Sequence, residues 1–269
     1  MKSPEESKQH LDKAIQYSSF NLGQYLDDGY NLWKRKPLSF VALILLLMMA
    51  SVLSNILPFA GSIINSLIIS PCLTLGAYLA CKVVDYDIDD FKFEDFFSGF
   101  QFVSKAITLN LIIIGLGLLL ALPLIFQIGI SNIDFLLSSD PLTLQNEFPV
   151  DAITSTTFLL IIPLIYAGLL TSFALPILGI YRLEPWDALR YSALFIHKHW
   201  IMFFFYYIVI IFIMLLGFLA LIIGVVITVS MLYPMIYISF KDITDLDTYL
   251  AGDSSEIETH QGATLDDFR

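Results

Sequence analysis

The sequence predicts an all-α integral membrane protein, a bundle of six transmembrane helices with amphipathic interfacial helices on its cytoplasmic side and a candidate threefold hairpin repeat. Three observations predict it. Charged residues make up 14% of the chain and hydrophobic ones 57%, whereas an ordinary soluble domain is roughly 25% charged. The mean hydropathy is +0.76, and long stretches contain no charge at all. The basic residues, finally, sort to one side of the helices so defined. The net charge of −11 leaves no footprint for nucleic acid, which needs clustered Lys and Arg.

A bilayer core about 30 Å thick needs about 20 apolar residues in a helix. A polar N-terminal segment, 1–36, comes first. It lacks the apolar stretch of a signal peptide, so the first span is expected to serve as an uncleaved insertion signal. The transmembrane domain, 37–240, begins with Pro37 to Leu57, closed by Pro58. Further runs cover Gly61 to Val83, Ala106 to Ile128 and Ile153 to Tyr181. The last apolar stretch, Ile201 to Phe240, holds 40 residues without a charge. As one helix it would be about 60 Å long, twice the core. It must turn, at Gly217 or Gly224, and Gly217 divides it more evenly. The spans are therefore about 37–57, 61–83, 106–128, 153–181, 199–217 and 219–240. The tail, 241–269, carries eight acidic and two basic residues and is expected to be disordered.

Lys2, Lys8, Lys13, Lys34, Arg35 and Lys36 precede the first span. Lys82, Lys92 and Lys105 follow the second, Arg182, Arg190 and Lys198 follow the fourth, and Lys241 and Arg269 follow the sixth. All 14 basic residues fall on one side, which the positive-inside rule makes cytoplasmic. Both termini are then cytoplasmic. The long opposite loop carries Asp134, Asp140, Glu147 and Asp151, a solvated acidic loop rather than an EF-hand. Trp33, Trp186 and Trp200 sit near the basic side, where an aromatic belt is expected.

Leu26 to Pro37, Phe93 to Ala106 and Trp186 to Trp200 are alike: each is amphipathic and leads into an odd-numbered span. Leu11, Ile15, Leu22, Leu26, Tyr30 and Trp33 fall on one helical face. Each even-numbered span holds one proline in its cytoplasmic half, Pro71, Pro176 or Pro234. The repeating unit would be interfacial helix, span, turn, span.

Apart from Lys82 at the cytoplasmic edge of the second, no charge lies inside a span, which lowers the reading of an ion-coupled transporter. The deep polar residues are Asn55, Asn65, Thr108, Asn110 and Thr171. In the second span Ser62, Ser66, Ser70 and Thr74 recur every four residues on one face. That face is either a polar pathway or a seam where helix backbones approach. Ala220, Gly224 and Thr228, and Gly117 with Ala121, show the same spacing. The three prolines are candidate kinks, each freeing a carbonyl four residues earlier. Cys72 and Cys81 read as buried small residues. His197 and His199 flank Lys198 and read as part of the basic belt, too few for a metal site. The pairs Asp27–Asp28 and Asp89–Asp90 lack the further residues of a lipid transferase, and no zinc, nucleophile-elbow or P-loop motif occurs. No cofactor is expected.

GYNLWKRKP before the first span, IISPCLTLGAYLACKVV in the second, FEDFFSGFQF after it and ALRYSALFIHKHW before the fifth carry a resemblance of pattern. From about Gly29 to Phe240 the chain resembles the YciC-like bacterial inner-membrane proteins and the membrane domain fused to some glycerophosphodiester phosphodiesterases. The resemblance implies a bacterial inner-membrane protein of about six helices and lends no catalytic residue, since no phosphodiesterase domain is expected to follow. The functional expectation is a non-enzymatic membrane protein in membrane homeostasis or an accessory subunit of a membrane complex. Its partners would be the lipid bilayer and a membrane protein. The alternative is a transporter of a lipophilic or neutral small solute or lipid, and a lipid-modifying enzyme ranks last.

Overall fold

The structure, a computed structural model, describes residues 3–54, 56, 60–86, 91–131, 155–219 and 221–251. Asn55, Ala220, the Asp89–Asp90 pair, the acidic loop residues Asp134 to Asp151 and the tail beyond 251 lie outside the described residues.

Ser3 and Glu6 form a reciprocal capping box that opens α1 (Pro4–Tyr17), satisfying backbone donors a helix start leaves free. Asn21 caps α2 (Leu22–Arg35) in turn. The expected continuous face from Leu11 to Trp33 is therefore two helices. The short polar side chain at Asn21 restarts the hydrogen-bond ladder in a new direction. Both apolar faces are buried inside the protein: Leu11, Ala14, Tyr25 and Leu32 are all core residues.

Lys36 is non-helical, as residues before proline tend to be, and α3 (Pro37–Ser54) follows. The second span is α4 (Ala60–Ile64), a π turn (Asn65–Ile69) and α5 (Ser70–Tyr86). A 3₁₀ helix (Phe93–Phe102) leads into α6 (Val103–Ser131). The fourth span is broken: α7 (Ser155–Leu170) and α8 (Ala174–Ile180) are separated at 171–173. Arg182, at φ 54, turns the chain into α9 (Pro185–Lys198). The last hairpin is α10 (Trp200–Leu219) and α11 (Leu221–Ile243). The two helices end and begin at Leu219 and Leu221, beyond Gly217. Gly217 itself is helical, and a side chain there would strike Thr228 and the Gly224 carbonyl.

Six helical stretches are long and apolar enough to cross a membrane: Pro37–Ser54, Ala60–Tyr86, Phe93–Phe126, Ile161–Ile180, Trp200–Leu219 and Gly224–Ile243. The second and sixth are the most buried, at 56% and 44% of their apolar windows, and the third is only 6% buried. The second and sixth spans thus form the centre, and the first, third and fifth lie around them.

The short helices pack at one end of the bundle, here called the base. The 3₁₀ helix lies on α5, α9 lies on α8, and α2 lies on α11. Each helix that precedes a hairpin thus grips the returning helix of the hairpin before it, and the first closes on the last. Two of these grips are backbone contacts. Gly99 meets the backbone at Cys72 and Gly76, and a Cβ on Gly29 would lie 2.5 Å from Met235 Cα. The base is not free of the tail. Ile243, Leu246 and Tyr249 are buried, and Tyr249 hydrogen-bonds Ser7 at 2.8 Å. Their three-residue spacing makes an apolar helical face, which the acidic residues around it obscure.

Candidate functional site

The polar face of the second span is shaped by its proline. In the π turn the Ser70 N–H bonds the Asn65 carbonyl, five residues back. The matching donor for the Ser66 carbonyl would be residue 71, and Pro71 has no N–H. Asn110 of α6 fills the gap, its Nδ2 donating to the Ser66 carbonyl at 2.7 Å. Beside this bond lies a cavity of about 180 Å³ lined by Ser66, Ser70, Pro71, Thr74 and Asn110, with apolar walls including Leu109. The structure therefore brings together Ser66, Ser70 and Thr74. Ser62 is not among the residues lining it. Asn110→Leu is expected to cost about 1 kcal/mol, the usual worth of a hydrogen bond between membrane helices. Thermal unfolding in detergent would measure it.

Pro176 sits just after the break at 171–173. There the Ser192 hydroxyl of α9 accepts from the Phe173 N–H at 3.0 Å and donates to the Leu170 carbonyl at 2.6 Å. One buried hydroxyl replaces two backbone partners. Pro234 lies within a continuous α11, so of the three prolines only Pro71 and Pro176 adjoin an interruption of the α-helix. Near Pro234, Trp33 of α2 donates to the Ser230 hydroxyl at 2.9 Å. Of the other deep polar residues, Thr108 and Thr171 bond carbonyls of their own chain segment, at Ser104 and Gly168.

Charge gathers at the base. Lys241 of α11 pairs with Asp85 of α5 at 2.8 Å, with the two side chains 20% and 11% exposed. Tyr237 donates to the same carboxylate at 3.3 Å, and Asp247 flanks Lys241 at 3.2 Å. By sequence, Asp85 falls in a loop, Lys241 and Asp247 in the tail, and Tyr237 in the sixth span. Only packing of the second span against the sixth reveals them as a shared, largely buried pair. The sign pattern offered no cue, because both lie at helix ends. Cys72 and Cys81 are buried and free. Among the described residues no group of three or more His, Cys, Asp or Glu could hold a metal ion.

A second cavity, of about 360 Å³, opens between α1 and the end of α11, lined by His10, Lys13, Ser18, Asp242, Asp245 and Thr248. His10 Nε2 donates toward the Thr244 and Asp245 carbonyls at 3.0 and 3.1 Å, capping the end of α11 where Asp245 takes φ 50. The corner between α1 and α2 is held from α9. Lys198 Nζ reaches the carbonyls of Gln16 and Ser18 at 3.0 and 3.3 Å, and His199 Nε2 bonds the Ser18 hydroxyl at 3.0 Å. A cation on the last carbonyls of α1 also complements its dipole.

His199 lies partly buried at the end of α9. Burial, and then the neighbouring Lys198 charge, hold its pKa below the ordinary value. Such a histidine binds its proton more weakly folded than unfolded. Its contribution to stability is complete above the unfolded value of about 6.5 and is lost as pH falls through the lower folded value. Thermal stability is expected to fall as pH drops below about 6.5. His199→Phe should flatten that part of the profile.

Fold and site together define a multi-pass α-helical membrane protein whose hairpins are locked at one polar end. No protein-family model, no curated protein and no solved structure matches the chain.

Proposed function

We propose that the chain is a non-enzymatic integral protein of a bacterial inner membrane. Both termini face the cytoplasm, and its work is membrane homeostasis or support of a partner complex. The observation that carries this reading is the contrast between a locked base and open spans. Only 6% of the third span's apolar window is buried inside the protein, and Gly115 and Gly117 on α6 have nothing within contact range of a side chain. That surface suits lipid or a partner's helix. The polar groups of the base are engaged with one another, which suits a scaffold. The closed ring of grips, with Asn110, Ser192 and Trp33 each serving the proline region of the preceding hairpin, supports three copies of one unit.

Gentle extraction from the native membrane, with mass spectrometry of accompanying proteins and lipids, tests this reading. A stoichiometric protein partner or an enriched lipid is expected, and a chain that comes away with neither would overturn it. Single cysteines placed at Lys13 and Glu184 should label only from the cytoplasmic side, since both native cysteines are buried.

A second reading, transport of a small neutral solute, rests on the cavity at Ser66, Ser70 and Thr74. Ser66→Leu with Ser70→Leu would then abolish uptake at unchanged expression, and unaltered uptake would end that reading.

A further inference from the structure

We propose that the groove between α6, α7 and α9 is a binding site for an anionic phospholipid, with an acyl chain along its walls and the phosphate on Arg190. The groove has a volume of about 620 Å³, within the roughly 300–1,000 Å³ usual for small-molecule sites. Leu116 and Leu170 form one wall and Leu189, Ala193 and Leu194 the other. The α9 helix is amphipathic in an unusual sense. One face is buried on the protein, through Ala188, Tyr191, Ser192 and Phe195. The opposite face carries Trp186, Arg190, Leu194 and His197, four and three residues apart on successive turns. Trp186 is 61% exposed and Leu194 40%. An exposed face of that composition suits the membrane interface, where indole rings and cationic side chains with long apolar stems are favoured.

Charge identifies the occupant. The two carboxylates nearest Arg190 on its own segment are already taken: Asp187 pairs with Lys8 at 3.0 Å and Glu184 with Lys105 at 2.8 Å. Arg190 is exposed and has no ion pair among the described residues. Arg190 thus places a guanidinium without a carboxylate partner at the edge of an apolar groove. Its planar fork matches a phosphate better than any other common membrane group. His197, at the other end of the groove, is held by a hydrogen bond between its Nδ1 and the Tyr166 hydroxyl, which fixes α9 against α7 and keeps the groove open. The site requires only that the chain lie in a bilayer. It is independent of whether the protein serves homeostasis, a partner or transport.

The test uses the full chain, delipidated in mild detergent and returned to bilayer discs of phosphatidylcholine with or without phosphatidylglycerol. Native mass spectrometry then reads the lipid retained. The wild type is expected to hold one phosphatidylglycerol in preference to phosphatidylcholine. Arg190→Gln should lower that preference roughly tenfold, the worth of one charge-assisted hydrogen bond. Ala193→Phe, which fills the groove, should lower retention of both lipids. Lys13→Gln, in the separate cavity beside α1, should change neither. Equal retention by wild type and Arg190→Gln would overturn the headgroup assignment. A lipid-free dimer that Ala193→Phe dissociates would overturn the site, since a second copy would then occupy it.

Discussion

Gly99→Ala and Gly76→Ala are each expected to destroy the folded base, while Gly115→Ala and Gly117→Ala leave it intact. Helix propensity alone predicts the same sign for all four, a gain of up to about 1 kcal/mol per glycine replaced. Packing separates them. A Cβ on Gly99 would strike the Cys72 carbonyl and the Gly76 nitrogen, and one on Gly76 would strike the Phe96 carbonyl. Those are backbone atoms of two crossing helices and cannot rotate away, as a side chain could. The helices would have to separate along their whole contact, exposing Phe96 and Leu75, both fully buried. The cost is expected to reach about 3 kcal/mol or more, the upper range for overpacking, a large part of the total stability of a typical protein. Gly115 and Gly117 meet nothing within 4 Å. Size-exclusion profiles after graded heating in detergent would read the difference. A soluble, monodisperse Gly99→Ala protein of unchanged stability would show that the 3₁₀ helix does not sit on α5.

Lys241→Met is expected to be nearly as damaging, at about 3 kcal/mol, because it strands the Asp85 carboxylate in a largely buried place. Tyr237 would remain as its donor, at 3.3 Å, and one neutral hydroxyl does not balance a charge. Asp85→Asn should cost less. Lys241 would still face Asp247 at 3.2 Å, and that carboxylate is 65% exposed, so solvent screens what is lost. The double variant Asp85→Leu with Lys241→Met should recover much of the loss, since a buried ion pair can often be exchanged for apolar contact. Thermal unfolding of Lys241→Met, of Asp85→Leu alone and of their double variant forms the cycle. Additive losses in the double variant would mean that the two residues act independently.

The fold class was legible because the bilayer imposes a length and an apolarity on each span that single-sequence reading can count. Pro37 could be placed at a helix start from its ring alone. The charged base was harder. Asp85 and Lys241 are separated by most of the chain, and nothing local marks them as partners. The polar face was legible in part: Ser66, Ser70 and Thr74 keep their four-residue spacing through the cavity. Ser62 lies outside that cavity, and the π turn at Asn65–Ile69 has no signature in hydrophobic periodicity. The break at 171–173 was likewise hidden, since the apolar run passes through it without a polar residue larger than Thr171 or Ser172. Leu246 and Tyr249 sit among acidic residues that dominate the tail's composition, although burial depends on spacing rather than on average polarity.

By itself the sequence determined that this chain is helical and crosses a membrane, because helix length and the absence of charge are local properties. The sequence also marks the polar, amphipathic character of the short helices that lead into the odd-numbered spans. Tertiary structure alone decided which helices form the centre, where backbones touch at Gly76 and Gly99, and how Asn110 and Ser192 complete ladders that Pro71 and the break before Pro176 leave open. Those outcomes depend on contacts between residues far apart in the chain, and a missing hydrogen-bond donor says only that a partner is needed, never which helix supplies it.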